Sequence, residues 1–218
     1  MMMTRRELSA GAAATTLFSA ARAASAQEGA VRPLPPPRPA GGMPLIDALR
    51  LRRSTREYSE RPLEPQVLSD LLWAANGVNR PSGDRTAPYW RHIMVTDIYA
   101  AMADGVWLYE PRMHALLQRA HEDIRAQTGT QDFVGGAPLD LVYVAHGERM
   151  TDVGPEERRL FASADACFIG QNVYLFCASE GLATVFRGSV DQAKLAATLN
   201  LADGQFVTFA QTVGYPRA

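Results

Sequence analysis

The segment 52–58 holds three arginines within five residues, with a serine and a threonine between them. It reads Arg52-Arg53-Ser54-Thr55-Arg56-Glu57-Tyr58. A phosphate monoester offers nearly two negative charges and three acceptor oxygens, and each charge-assisted hydrogen bond to an arginine contributes about 1.5–3 kcal/mol. Like charges this close repel one another unless something neutralises them. The pattern therefore predicts either a phosphate-binding site or a solvated basic patch balanced by Glu57 and Glu60.

Other common kinds of active site lack their sequence motifs. No G-x-G-x-x-G follows a predicted strand and no G-x-x-x-x-G-K-[ST] occurs, so the usual nucleotide-binding loops are not expected. The G-x-S-x-G elbow of an α/β-hydrolase is missing too. The triplet His146-Gly147-Glu148 is not followed by the P-C-x-x-C of a deaminase. The histidines have no zinc-ligand spacing, and we expect no metal site; they are His92, His114, His121 and His146.

The two cysteines, Cys167 and Cys177, lie ten residues apart in a predicted helix. Ten residues rise about 15 Å along a straight helix, which is too far for a disulfide. We expect both side chains to be buried packing thiols.

Composition is typical of a soluble, single-domain globular protein. Hydrophobic residues make up 47% of the chain and charged residues 21%, which is enough apolar material for a core. The net charge of −1 argues against nucleic-acid binding, and no run approaches the roughly 18–20 apolar residues of a membrane span. Lys194 is the only lysine among 22 basic residues, so a phosphate site would use arginines and backbone groups.

The chain divides into three parts. Residues 1–26 place Arg5-Arg6 before a mildly apolar stretch and end on Ala24-Ser25-Ala26, which predicts a twin-arginine export signal and a periplasmic location. The alternative is a disordered alanine-rich tail. Residues 27–44 hold six prolines, which predicts an extended arm that either wraps over a partner or acts as a spacer. The globular domain then spans 45–218.

Helices and strands alternate along this domain, which predicts an α+β sandwich. Helices are expected at 45–53, 65–77, 112–127, 155–179 and 191–199. Strands are expected at 93–98, 106–109, 139–145, 184–187 and 206–213. The long helix has an apolar face, formed by Phe161, Ala164, Cys167, Phe168, Gln171, Leu175 and Ala178.

Six blocks of this chain, in order, resemble the nitroreductase family, and within it the dehydrogenase-like branch of short exported members. The likeness spans 45–217 and begins with R-R-S-x-R plus an aromatic residue. The blocks are Arg52–Tyr58, Pro62–Arg80, Arg85–Pro88, Thr128–Phe133, Gly181–Gly188 and Gly214–Pro216. The resemblance implies a three-layer sandwich with a central, mostly antiparallel sheet flanked by helices. It also implies a homodimer with FMN at each of two interfaces, and NAD(P)H as a candidate donor.

The resemblance also assigns residues to the flavin. It implies that the arginine-rich segment contacts phosphate, ribityl chain and pyrimidine, that Arg187 and Gly188 place a backbone amide beside flavin N5, and that Gln131 reads the pyrimidine edge. Arg217 would complete the phosphate cage. The cofactor-binding residues implied are Arg52, Arg53, Ser54, Arg56, Pro88, Tyr89, Trp90, Gln131, Arg187, Gly188 and Arg217.

One block departs from the family pattern. After Pro88, Tyr89 stands where the family has serine and His92 where it has asparagine, at positions that reach across the dimer to the flavin. The larger groups would narrow the space over the flavin ring or stack on it, at about 0.5–1.5 kcal/mol beyond burial. His92 is also a candidate proton donor to product, because histidine is the most common general acid in enzymes; packing against the flavin is the alternative.

The sequence therefore predicts an FMN-dependent oxidoreductase that passes hydride or electrons to a small organic acceptor, such as a nitroaromatic or a quinone. A peptide dehydrogenase that oxidises azolines is a rival enzyme, although no peptide-docking module is recognisable. A non-catalytic flavin- or ligand-binding protein is the alternative that the altered block favours, and an exported structural protein without a cofactor is a third.

Overall fold

The computed structural model of the protein describes residues 29–217. The predicted export signal at 1–26 lies outside the described residues and stays a prediction. The helices within them are α1 (Leu45–Leu51), α2 (Pro65–Asn76), α3 (Pro155–Glu180) and α4 (Gln192–Thr198). The strands are β1 (Val31–Pro33), β2 (Thr96–Met102), β3 (Gly105–Glu110), β4 (Ala115–Ala120), β5 (Leu139–His146), β6 (Ala183–Arg187) and β7 (Gln205–Gly214).

A single antiparallel sheet organises these elements, with the strand order β1-β4-β3-β2-β5-β7-β6. Strand β5 lies at its centre, and all eight of its residues are buried, as its apolar run predicts. Strand β6 pairs with β7 on one side only. Its other edge has no neighbouring strand among residues 29–217, so its backbone groups are left to bond with whatever lies beside it.

Helices cover both faces of the sheet. On one face, Leu72 of α2 and Val173 of α3 join a core with Tyr143 of β5. On the other face, Leu195 of α4 packs into a second core with Val142. The α+β class and the layered arrangement predicted from the sequence are confirmed.

Most of the predicted elements form where the sequence places them. Helices α2 and α3 begin at Pro65 and Pro155, each in the first helical turn, where the missing proline N–H has no intrahelical partner to lose. Helix α3 ends at Gly181, whose φ of 69° is the left-handed value that favours glycine. Strand β2 begins at Thr96 instead of position 93.

The helix predicted at 112–127 is wrong. The chain forms strand β4 there, followed by a short 3₁₀ helix at Arg125–Gln127. Strand β4 pairs with β3 on one side and with β1 on the other, and its Leu116 is fully buried. Long-range pairing has overridden a local pattern that fits a helix and a strand almost equally well.

The proline-rich arm is extended, but it packs against its own chain, contrary to the expectation of an unpacked segment. Its residues Val31–Pro33 form β1. Farther along, the Arg38 guanidinium binds Asp70 of α2 at 2.5 Å and Glu180 of α3 at 2.9 Å. The arm therefore ties the sheet edge to both helices of one layer.

Helix α3 turns a different face to the sheet from the one its apolar pattern predicts. Cys177 is buried as expected, but Cys167 is exposed, as are Ala164, Phe168 and Gln171 of the same predicted face. The face that packs inward has smaller residues, and a Cβ added at its Gly170 would lie 2.4 Å from the Phe186 ring. Close approach to the sheet selects the inward face, because larger side chains would hold the helix away.

Helix α3 is also long and apolar enough, by length and composition, to cross a membrane. A core helix of a globular protein meets the same criterion. Here Ala162, Ala166, Ile169 and Val173 of α3 are buried in the protein's own cores, as in a core helix.

Candidate functional site

The arginine-rich segment 52–58 lies along the open edge of β6. The Thr55 N–H donates to the Thr184 carbonyl at 2.9 Å. Two residues farther along β6, the Phe186 N–H donates to the hydroxyl of Tyr174, which projects from α3. Because backbone groups alternate in direction along a strand, Thr184 and Phe186 both face away from β7 and toward this segment.

Tyr174 connects the segment to the helix layer. Its hydroxyl shares a 2.7 Å hydrogen bond with Ser54 Oγ. The guanidinium carbon of Arg52 lies 5.1 Å from the centre of the Tyr174 ring, within the range of a cation–π contact. Two of the predicted flavin-contacting residues are therefore held in place by one tyrosine.

The C-terminus closes on the same segment. Tyr58 and Pro216 form an isolated antiparallel bridge, and the Arg217 N–H donates to the Glu57 carbonyl at 3.3 Å. This pairing places Arg217, predicted from the far end of the sequence, opposite Glu57 and so beside the segment that contains Arg56.

No carboxylate of residues 29–217 forms an ion pair with these arginines. Arg53, Arg56 and Arg217 are exposed and Arg52 is half-buried. Among residues 29–217, no ion pair involves any of the four. Neither Glu57 nor Glu60 forms an ion pair with them in this part of the chain, and the exposed guanidinium groups are accessible to an anion.

Gly188 is the first residue after β6, continues the strand edge that faces the arginine-rich segment, and is exposed. The alternation along β6 turns its N–H the same way as that of Phe186, away from β7. A Cβ at Gly188 would meet only the Phe209 ring, at 3.8 Å, an ordinary contact. The packing of the chain itself does not require glycine here, so the missing side chain leaves room for a group from outside. Gln131 lies close by, because the Thr130 N–H donates to the Ser189 carbonyl at 3.1 Å.

The side chain of Arg187 has a structural role that the sequence did not predict. Its side chain is buried and bonds to Asp140 at 2.8 Å, to Thr212 at 3.0 Å and to the Thr128 carbonyl at 3.0 Å. Its backbone belongs to the ladder with β7, opposite Ala210. Of the two residues predicted to offer an amide to the flavin, only Gly188 is free to do so, and Arg187 supports the strand from within.

The Pro88–His92 segment lies at the opposite end of α3. The Tyr89 hydroxyl donates to Asp84, and the Trp90 ring stacks on Phe161 with centroids 5.7 Å apart. Pro88 is exposed, and the His92 side chain is 89% exposed. The φ values of Arg91 (44°) and His92 (58°) are both left-handed, a conformation that non-glycine residues adopt at a cost.

Within one chain, this segment is separated from the arginine cluster. Asp165 of α3 accepts the Trp90 N–H at 3.1 Å, whereas Ser54 bonds to Tyr174, nine residues farther along the helix. Nine residues span about 14 Å. The structure therefore brings Arg52, Ser54, Gly188 and their neighbours together but leaves 88–92 outside that group.

Asp165 gives this segment a pH-dependent anchor. Burial raises the pKa of its carboxyl to about 6 from an ordinary 3.8, against the opposing effect of the Trp90 N–H. A raised carboxyl pKa means that the folded state binds the proton more tightly, so this group's contribution to stability falls as pH rises from about 4 to about 6. The difference between the ordinary pKa of 3.8 and the pKa of about 6 in the folded protein corresponds to about 3 kcal/mol in the free energy of unfolding, at 1.36 kcal/mol per pH unit.

We expect Asp165→Asn to raise the free energy of unfolding by about 1–3 kcal/mol at pH 8 and to change it little at pH 4. The amide oxygen still accepts the Trp90 N–H and no charge is buried. Urea titrations of the two proteins across this pH range measure the difference, in which all other titrating groups cancel. A gain that is the same at both pH values would contradict the assignment.

The prediction from sequence missed the residues that hold the site from behind. Tyr174, Asp140 and Asp165 are such residues. The sequence does carry a signal for them, because buried polar groups are retained where they find partners. That signal is a tyrosine and an aspartate within a long apolar helix, and an aspartate within an otherwise apolar strand.

The sequence of this chain is similar to that of a known family. The sequence profile described as the nitroreductase family matches residues 49–215. A candidate nitroreductase of Methanocaldococcus jannaschii is 33% identical over 155 residues, which cover 66% of this chain and 78% of that protein.

Solved structures agree with this similarity. The crystal structure of a candidate nitroreductase from Ralstonia eutropha superposes with a TM-score of 0.83 at 43% identity, over 88% of this chain and 92% of that one. An NADPH:FMN oxidoreductase from Vibrio harveyi, solved with NAD⁺, has a TM-score of 0.60 at 19% identity, over 80% of this chain and 69% of that one. At that identity the second likeness concerns the fold alone.

Proposed function

Because the chain belongs to the nitroreductase family, we propose that it is an FMN-dependent oxidoreductase. It would transfer hydride or electrons from a reduced donor to a small organic acceptor, such as a nitroaromatic or a quinone. The observation that carries this proposal is the group of guanidinium side chains without carboxylate partners, held beside an open strand edge that continues into Gly188. The Vibrio harveyi protein of the same fold, an NADPH:FMN oxidoreductase bound to NAD⁺, supports FMN as cofactor and NAD(P)H as donor.

The residues present fit the parts of this cofactor. Arg53, Arg56 and Arg217 would hold the phosphate, since arginine forks match its oxygens. Arg52 and Ser54, which contact Tyr174, would hold the ribityl chain and the pyrimidine, with Gln131 at the pyrimidine edge. The Gly188 N–H would donate to the ring system beside its reactive nitrogen.

When bound, FMN would supply the hydride- and electron-accepting centre, which side chains alone do not provide. The contribution of the chain is to position that group and to stabilise negative charge near it. The Gly188 amide would do this by hydrogen bonding, and Arg52, assigned to the pyrimidine, would do it by charge. His92, exposed at the end of its segment, would deliver a proton to product.

We further propose that the active unit is a homodimer. Both α1 and α3 carry exposed apolar residues that are candidates for the contact, with Leu160 63% and Phe168 50% exposed. Exposed apolar area of this kind is costly in water unless it is covered. A twofold contact would also let Tyr89 and His92 of one subunit reach the arginine cluster of the other, which a single chain keeps apart. Export to the periplasm remains part of the proposal.

A second candidate function is flavin or ligand binding without catalysis. The bulky side chains of Tyr89 and Trp90, at positions predicted to lie over the flavin, favour it. Photoreduction of the flavin-loaded protein, followed by quinones and nitroaromatics, separates the two candidates. Reoxidation that none of these acceptors accelerates would favour binding alone.

The direct test is the flavin content of the purified protein. We expect a yellow protein with one FMN per chain, released on denaturation. A colourless protein that binds no FMN on reconstitution would reject the proposal.

Gly188→Ala tests where the ring system would lie. Because the added Cβ meets only an ordinary contact within the chain, we expect stability to change by less than about 0.5 kcal/mol. The FMN dissociation constant should rise at least tenfold, since the methyl group occupies the approach to the amide. Gly136→Ala is the matched control, because a Cβ there has no neighbour within 4 Å. Equal FMN affinity in the two variants would contradict the placement.

A further inference from the structure

Strands β2 and β3 separate at one end of the sheet. Their pairing runs from Met102 opposite Gly105 to Tyr99 opposite Leu108. Beyond that point β2 stays paired with β5 through Thr96, and β3 stays paired with β4. The space between the diverging strands is a cleft of about 460 Å³, within the size range of small-molecule sites. We call it the β2–β3 cleft.

The cleft contains a buried arginine that bonds to no acceptor in the described part of the chain. Arg85 lines it and is only 7% exposed. Its Nη1 is buried with no hydrogen-bond acceptor among the described residues, and the same holds for Oγ1 of Thr96, which is also 7% exposed and lines the cleft. Arginine stays charged inside proteins, and an unpaired buried charge is among the costliest arrangements that a fold contains.

The remaining charges around the cleft leave it positive. Its lining includes Arg85 and three further arginines, against two carboxylates. Asp97, one of the carboxylates, already binds His146 at 2.7 Å. The other, Glu110, accepts the Arg112 N–H at 3.0 Å. Neither forms an ion pair with Arg85 within residues 29–217.

His146 also lines the cleft. Burial alone would lower its pKa, but the hydrogen bond and the charge of Asp97, with a further hydrogen bond to Glu148, raise it above the ordinary value. A buried cation, a hydroxyl without a partner and an excess of guanidinium groups therefore converge on one opening.

We propose that the β2–β3 cleft binds the oxyanion of a small organic molecule, with Arg85 as its principal ligand. A carboxylate and a phosphate share the chemistry that the guanidinium fork recognises. The site is distinct from the arginine cluster at β6, from which β5 and β7 separate it in the sheet. The Thr96 hydroxyl donates a hydrogen bond to the same anion. This inference does not depend on the proposed flavin chemistry.

The test is anion binding by the full chain, measured as thermal stabilisation and by calorimetry at constant ionic strength. Inorganic phosphate and acetate are the two probes, each used with and without saturating FMN. An anion bound at the arginine cluster beside β6 is then recognised because FMN displaces it. We expect one probe or both to bind in the presence of FMN. Phosphate alone would indicate a phosphorylated ligand, and acetate alone a carboxylic acid; either result supports the site.

Two variants make the test specific. Arg85→Met should raise the dissociation constant of the bound probe at least tenfold and should also raise the melting temperature of the ligand-free protein, since it removes an unpaired buried charge. Thr96→Val keeps the shape and should weaken binding by a smaller factor. Arg50→Ala, which removes an arginine 74% exposed on α1, should leave both quantities unchanged.

Any of three results would overturn the proposal. The first is that neither probe binds when FMN is saturating, and the second is that Arg85→Met leaves the binding intact. The third is a fall in the melting temperature of ligand-free Arg85→Met, which would show that the guanidinium is already satisfied within the fold.

Discussion

Replacement of Arg56 and Arg217 together by alanine is expected to weaken FMN binding by about 10²–10⁴-fold. The two arginines come from opposite ends of the domain and are brought together where Arg217 bonds to Glu57. Each charge-assisted hydrogen bond to phosphate contributes about 1.5–3 kcal/mol, and 1.4 kcal/mol is a tenfold change in affinity. Because both side chains are exposed and have no ion-pair partner among residues 29–217, the fold should not depend on them.

The measurement is flavin fluorescence during titration of the apoprotein with FMN. Riboflavin, which lacks the phosphate, should bind the variant and the parent protein with affinities that agree within about threefold, because the phosphate contacts are the ones removed. Arg50→Ala is the control for a change in charge alone, since its arginine pairs only with Asp47 on α1. If FMN affinity fell no more than riboflavin affinity, the cluster would not be the phosphate site.

The parts of this protein that sequence predicted well are those with strong local signals. Prolines in the first turn and a glycine at the end fixed the bounds of α2 and α3 to within a residue or two. The apolar run of β5, interrupted only by Asp140 before His146, is typical of a buried strand. The arginine cluster could be predicted as a candidate anion site because three arginines so close together repel one another unless an anion or an acidic group neutralises them.

Prediction failed where long-range packing decides the outcome. Residues 115–120 became a strand because β3 and β1 offered edges to pair with, and nothing local signals that. The inward face of α3 was set by the small residues that tolerate close approach, such as Gly170, so the larger apolar side chains were left outside. The role of Arg187 depended on Asp140, 47 residues away, and a buried charge pair of this kind leaves no trace in spacing.

That pair supports the second prediction. Arg187→Met is expected to destabilise the protein by about 3–5 kcal/mol, because it leaves the fully buried Asp140 without its cation. For a domain of this size, such a loss lowers the melting temperature by roughly 6–20 °C. Burial already raises the pKa of Asp140 against the opposing effect of Arg187. Without Arg187 the carboxyl should be neutral over a wider range, so the loss should be smaller at pH 5 than at pH 8.

The double variant Arg187→Met with Asp140→Leu distinguishes a structural pair from a catalytic residue. Removing both charges leaves no unpaired ion, so stability should return to within about 2 kcal/mol of the parent protein, although Thr212 loses both of its partners. FMN affinity of the folded double variant should stay within about threefold of the parent value, because the Gly188 amide and the arginine cluster do not use this side chain. A double variant that is stable but binds no flavin would show that Arg187 contributes to flavin binding. If the two substitutions destabilise the protein additively, the two charges do not act as a pair.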